Sequence, residues 1–171
     1  LPAGISSALF SISNLIVSAA INSFENTALI AGHTASGQPE AYLFYIVNGL
    51  ANALLTFAGQ NSGAGQHRRI LNGTNQCALL CGGIVLALGL FCIFFASPVL
   101  SLFNDNPAVI FWGKKKLYIL ASCYFLYGMY ECYSAAIKGC GTTLIPMLIS
   151  VFGICMVRIA WIFIALPICR T

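Results

Sequence analysis

The sequence predicts an all-α protein: a polytopic membrane helix bundle with about five transmembrane helices. Of its 171 residues, 59% are hydrophobic and 7% are charged, and the mean hydropathy is +0.88. Soluble domains carry about 25% charged residues, and a soluble protein this apolar could not cover its surface with polar groups. Apolar stretches long enough to cross a bilayer recur between polar turns. The predicted transmembrane helices are residues 2–22, 41–59, 72–96, 117–137 and 143–166.

Charge and cysteine content exclude two other classes of protein. The net charge of +4 is scattered, with no basic run suited to nucleic acid, so no nucleic-acid partner is expected. The eight cysteines lie mostly inside apolar segments, where they act as small helix residues and predict no disulfide framework. Cys77 and Cys81 share a helix face, but no His or acid lies near them in the sequence. No metal site and no cofactor are therefore predicted.

The first predicted helix, residues 2–22, carries a polar stripe about 80° wide on a helical wheel. This face either lines a polar cavity or packs its small residues against another helix, and the pattern leaves both interpretations open. If it lines a cavity, Ser11, Asn14 and Ser18 are candidate cavity-lining residues. The full stripe is Gly4, Ser7, Ser11, Asn14, Ser18 and Asn22.

Residues 24–39 are polar and are predicted to form a loop outside the membrane core, with room for a short interfacial helix. The second predicted helix, residues 41–59, again carries a polar stripe about 80° wide. Two successive helices with neutral polar stripes favour a common cavity able to accept bulky organic solutes. On this interpretation Asn48, Asn52 and Thr56 are further cavity-lining candidates.

A glycine-rich turn with Arg68 and Arg69 leads into the third predicted helix, residues 72–96. The glycines permit a tight turn, but the segment lacks the spacing of a phosphate-binding P-loop. The third helix has no polar stripe, so it is predicted to face lipid or to pack closely. Residues 97–113, which include two prolines, are predicted to form a loop.

Residues 117–137 are the most informative segment. Twenty-one helical residues rise about 31 Å, close to the thickness of a bilayer's hydrocarbon core. Lysines close the segment at both ends, at residues 114–116 and at Lys138, and Glu131 is the one formal charge between them. An ionisable group is costly inside lipid, so Glu131 should face a protein interior or a wet cavity. It therefore marks a candidate functional site.

The wheel position of Glu131 supports this interpretation. Tyr124, Tyr127, Glu131, Ser134 and Lys138 lie within about 80° of one another. Tyr127 comes one turn before Glu131, where its hydroxyl can hydrogen-bond the carboxyl. We therefore predict that Glu131 and Tyr127 act together and that Tyr124 lines the same cavity. The alternative is a helix–helix contact in which these polar groups satisfy one another.

The last predicted helix, residues 143–166, contains Arg158, the one basic residue well within a predicted helix. Measured from the turn at residues 139–141, Glu131 lies about 12 Å up one helix and Arg158 about 25 Å up the next. The two side chains are therefore not expected to pair. Arg158 is expected to snorkel towards the far interface or to contact another part of the protein.

Several short motifs occur in a specific order and spacing: residues 1–4, 11–14, 20–24, 31–35, 56–65, 137–141 with 146–147, and 158–163. Together they resemble the multidrug and toxic compound extrusion (MATE) family over nearly the whole chain. The chain departs from the family's common pattern where Glu25 replaces Gly and Lys138 replaces Arg. It also has no acid on its first helix, where some members carry one.

The resemblance implies a transporter of twelve helices in two six-helix lobes, with residues 1–171 forming part of the C-terminal lobe. It implies a multi-pass protein of the cell membrane, with Arg68, Arg69 and Lys138 in the cytoplasm. The implied activity is antiport of organic, often cationic, compounds against Na⁺ or H⁺. Glu131 and Tyr127 are then candidates for binding the coupling ion. The implied partners are membrane lipid, small organic solutes and the missing N-terminal lobe.

Two alternatives stay open at the level of sequence. A flippase for lipid-linked oligosaccharides, from the same superfamily, would favour a more cationic cavity than these neutral stripes. A membrane-embedded enzyme would need a nucleophile–base pair or a metal-binding set within the bilayer. The two histidines, His33 and His67, lie in predicted loops, so the chain is not expected to be an enzyme.

Overall fold

The computed structural model describes residues 2–24 and 26–156. Throughout this part of the chain the regular structure is helical, without β-strands, as predicted. A short π-helical segment, Ser150–Met156, ends the described chain. The helices that precede it are α1 (Pro2–Asn22), α2 (Thr27–Gly63), α3 (His67–Phe94), α4 (Ala96–Ser101), α5 (Pro107–Gly139) and α6 (Leu144–Ile149).

The chain divides into two compact units. In the first, α1 packs against α6 and the π-helical segment. In the second, residues 27–141, the long helices α2, α3 and α5 pack together and α4 packs against them. Within the described residues, α2 and α3 are long and apolar enough to cross a membrane. The second unit exposes large apolar side chains such as Leu79 and Ile119, as a membrane helix bundle does.

Helices α2 and α5 run parallel, and glycines bring their backbones into contact. Gly32 lies against Gly113 near the start of both helices, and Gly59 lies against Gly139 near their ends. A Cβ on Gly139 would stand 2.5 Å from the carbonyl oxygen of Leu55, so only glycine allows this approach. Because the contacts follow the same order along both helices, the parallel register is unambiguous.

Helix α3 runs antiparallel to α5, with Gly89 against Ala121 and Gly82 against Met129. The core of the second unit forms where α2, α3 and α5 meet. Gly128 leaves space there, and a Cβ at this position would lie 3.2 Å from the Cys81 sulfur. The fully buried side chains of this core are Val47, Ala58, Ala78, Cys81, Val85 and Cys132.

The predicted loop at residues 24–39 is wrong, because from Thr27 onward this segment is the first part of α2. Two of its hydroxyls donate within the helix, Thr34 to the Ile30 carbonyl and Ser36 to the His33 carbonyl, and a second helix adds further contacts. Lys116 of α5 forms an ion pair with Glu40 at 3.1 Å and donates a hydrogen bond to the His33 carbonyl at 3.2 Å. Pro39 lies inside α2 and lacks the N–H that would bond the preceding turn. The Lys116 contacts lie on both sides of Pro39 and hold this part of α2 against α5.

Replacing Lys116 with Met is therefore expected to lower the free energy of unfolding by about 1 kcal/mol, since both ionic groups are partly exposed and screened by solvent. Thermal unfolding of the purified full-length protein in detergent measures this change. Lys114→Met, which removes the same charge two residues earlier, is the matched control and should unfold like the wild type. Equal stabilities for the two variants would contradict the conclusion that Lys116 holds α2 against α5.

The predicted loop at residues 97–113 is also too long. Ala96 and Leu100 of α4 are buried against α2 and α5, and α5 already begins at Pro107. Asn106 caps α5, because its side-chain oxygen accepts a hydrogen bond from the backbone N–H of Ala108 at 3.0 Å. The three lysines at 114–116 therefore lie inside a 33-residue helix and not before it.

The other predicted helices agree with the structure to different extents. Helix α1 has the predicted bounds, α2 continues past residue 59 to Gly63, and α3 occupies His67–Phe94 instead of residues 72–96. The last predicted helix is described as α6 and the π-helical segment up to Met156. Its remainder, with Arg158, lies outside the described residues, as does Glu25.

Candidate functional site

Glu131 lies two turns before the end of α5 and forms an ion pair with Lys138 of the same helix. The Lys138 Nζ donates to Glu131 Oε1 at 3.3 Å. The Glu131 side chain is 19% exposed and that of Lys138 is 33% exposed, so the carboxylate is mostly covered by protein. The wheel placed the two residues on one face, and the structure brings them into contact. The carboxylate thus has a cationic partner that the sequence interpretation did not assign to it.

Tyr127 connects this face of α5 to α2. Its ring stacks on Phe44 with centroids 6.5 Å apart and lies 5.3 Å from the ring of Tyr124. Its hydroxyl interacts with the Asn48 side chain of α2 and with the charge of Glu131. Asn48 in turn donates from Nδ2 to the Phe44 carbonyl at 2.8 Å. Of the predicted site residues, the structure therefore brings Tyr124, Tyr127 and Asn48 together.

Asn52 and Thr56 follow Asn48 at intervals of one turn along α2. Both are exposed on the surface of the second unit, and the Thr56 hydroxyl donates to the Asn52 carbonyl at 3.1 Å. Glu131 follows Tyr127 by one turn on the parallel helix α5. Asn52 and Thr56 on α2 and the Glu131–Lys138 pair on α5 therefore lie on the same side of Asn48 and Tyr127, towards the C-terminal ends of the two helices.

The three candidates on the first helix, Ser11, Asn14 and Ser18, are exposed on α1. They belong to the first compact unit, whereas the residues around Glu131 belong to the second. A common cavity lined by both stripes therefore stays a prediction. In the described part of the chain, no group of three or more His, Cys, Asp or Glu side chains is arranged to hold a metal ion.

Two features of the site were missed at the level of sequence. The first is Phe44, an apolar residue whose stacking on Tyr127 depends on the register between α2 and α5. The second is the ion pair between Lys138 and Glu131, which could have been predicted from their seven-residue spacing. Two helical turns nearly realign side chains, and a lysine is long enough to reach back over that distance.

The chain matches one protein-family model and several curated proteins. The family model described as MatE matches residues 2–164. The chain is 26% identical to "Probable multidrug resistance protein NorM" of Thermotoga maritima, over 90% of this chain and 34% of that protein. It is 28% identical to the "FAD transporter" of Shewanella oneidensis, over 80% and 30% respectively. It is 27% identical to "Probable multidrug resistance protein YoeA" of Bacillus subtilis, over 95% and 35%. The chain thus spans about a third of the length of the curated relatives it matches.

Proposed function

Because the chain belongs to the MatE family, we propose that it is part of a secondary active antiporter that exports organic cations in exchange for Na⁺ or H⁺. The observation that carries the proposal is the mostly covered carboxylate of Glu131, the one formal charge in residues 117–137 of α5. A carboxylate in such a place can bind and release a small cation, and because it is costly inside a membrane it is a functional-site hypothesis by default.

Cation binding at Glu131 neutralises the carboxylate. The free energy cost of placing this side chain in an apolar environment therefore falls. In a two-lobe transporter, this difference biases the equilibrium between inward-open and outward-open states. We propose that loading Glu131 with the coupling cation favours one of these states and that the exported solute favours the other. The antiport cycle follows from that reciprocal preference.

The residues beside Glu131 suit an organic cation as cargo. The rings of Phe44, Tyr124 and Tyr127 pack together where α2 meets α5, and aromatic faces attract organic cations through their quadrupoles. The Asn48, Asn52 and Thr56 side chains add neutral polar groups. An anionic cargo, such as FAD or a lipid pyrophosphate, would require cationic groups, and the cation at this site is already paired with Glu131. These features favour export of organic cations over the flippase alternative.

We further propose that the chain is part of the C-terminal lobe of a multi-pass protein of the cell membrane. The N-terminal lobe of the same protein would then be its main partner, together with membrane lipid. On this arrangement Arg68, Arg69 and Lys138 are cytoplasmic, and the Glu131 carboxylate is about 12 Å from the cytoplasmic end of α5. The chain supplies no catalytic group in this proposal, which describes a transporter and not an enzyme.

The test is a transport assay with the full-length protein in proteoliposomes. Vesicles are preloaded with ethidium, and a Na⁺ gradient or a pH gradient is imposed separately. We expect one gradient to accelerate ethidium movement by about tenfold, and an ionophore that dissipates this gradient to remove the effect. Ethidium movement that is indifferent to both gradients would contradict the proposal.

A further inference from the structure

The second unit contains two lysine–carboxylate pairs among its described residues, and they differ in what they connect. Lys116 and Glu40 join α5 to α2, and Lys116 also binds a backbone carbonyl of α2. Lys138 and Glu131 lie on the same helix, seven residues apart. The first pair holds two helices together, whereas the second holds no two elements together. The packing of one helix on another therefore does not account for the second pair.

We infer that the Lys138 ammonium is a built-in competitor, which occupies Glu131 when no coupling cation is bound and leaves when one binds. This inference rests on the proposed antiport function, because it assigns the ion that the coupling cation must displace. In the empty state the pair is neutral. When Na⁺ or H⁺ neutralises Glu131, the lysine charge is released, and the site as a whole gains one positive charge.

The position of Lys138 allows this release. Lys138 lies in the last turn of α5, where the helix dipole stabilises a positive charge. Its side chain is partly exposed and flexible, so it can exchange the carboxylate for the helix end. Its neighbour Gly139 touches the backbone of α2 at Leu55 and Gly59. A displaced Lys138 therefore changes the electrostatics at the tightest contact between α2 and α5.

Among the described residues, Lys138 is the one cation that forms an ion pair with Glu131. On α5, tyrosines 124 and 130 act on Tyr127 besides Glu131, and on α2 Glu40, which pairs with Lys116, acts on Tyr124. On α2, the series Asn48, Asn52 and Thr56 is uncharged. On α3, the Arg69 guanidinium lies over the Phe57 ring of α2, 5.9 Å from its centroid.

Two substitutions at Lys138 test the inference with opposite expected signs. In the full-length protein in proteoliposomes, Lys138→Gln removes the competitor. The Na⁺ or H⁺ concentration for half-maximal ethidium export should then fall about fivefold. Lys138→Arg supplies a guanidinium that can pair with a carboxylate through two parallel hydrogen bonds, so the same concentration should rise severalfold. NaCl titration at fixed pH and pH titration without Na⁺ identify which cation responds.

Lys115→Gln is the matched control, because it removes the same charge from the same helix. The Lys115 ammonium lies over the rings of Phe111 and Trp112, so the cation dependence should stay at the wild-type value. A Lys138→Gln variant with unchanged or weaker cation dependence would overturn the inference. If that variant does not fold, Lys138→Arg carries the test, and a value equal to the wild type overturns the inference. A wild-type protein without any cation dependence would instead contradict the proposed function.

Discussion

Replacing Glu131 with Gln should abolish gradient-driven export while leaving the protein folded. Gln has nearly the shape of Glu but carries no charge, so it neither takes up a proton nor binds Na⁺ as a carboxylate does. Losing that cation should lower the rate of ethidium export driven by the effective gradient by about tenfold or more. The measurement is the proteoliposome assay with full-length protein, after size-exclusion chromatography has verified that the variant is monodisperse.

The fold should tolerate this change because the partner of Glu131 is on the same helix. Removing the carboxylate releases Lys138 to the helix end and breaks no contact between helices that involves this pair. Asp105→Asn is the matched control, since Asp105 is an exposed acid just before α5. This control should export like the wild type. If Glu131→Gln retained full export and the same dependence on the gradient, Glu131 would be assigned to helix packing.

Replacing Gly139 with Val should destabilise the second unit more than any surface substitution. A Cβ at this position would lie 2.5 Å from the Leu55 carbonyl oxygen and 2.8 Å from the Ala58 side chain. These neighbours are backbone and a buried methyl group, which cannot rotate away, so α5 would have to separate from α2. Overpacking of this kind should lower the free energy of unfolding by about 3 kcal/mol. Thermal unfolding in detergent and the yield of monodisperse protein report the loss.

Gly83→Ala is the control for this experiment. Gly83 lies inside α3, and a Cβ there would meet no atom within 4 Å. Alanine favours the helix over glycine by about 1 kcal/mol, so this variant should be at least as stable as the wild type. A Gly139→Val protein as stable as Gly83→Ala would show that α2 and α5 do not approach as closely as described.

The features that depend on neighbours along the chain could be predicted from the sequence. Composition indicated the all-α membrane class, and the bounds of α1 followed from a mostly apolar segment that begins at Pro2. Glu131 and Lys138 were placed on one face because helical periodicity alone brings residues seven positions apart together. These inferences required no knowledge of what packs against each helix.

Tertiary structure alone decided the features that depend on distant residues. The segment before Glu40 has a polar composition typical of a loop, but it is helical, and Lys116, 83 residues after His33, contacts both the His33 carbonyl and Glu40. Likewise, Tyr127 stacks on Phe44 because α2 and α5 run parallel in one register. The physical reason is the same in both cases. Which partner a side chain contacts depends on which helices pack together. The periodicity of one helix does not show which distant helix packs against it.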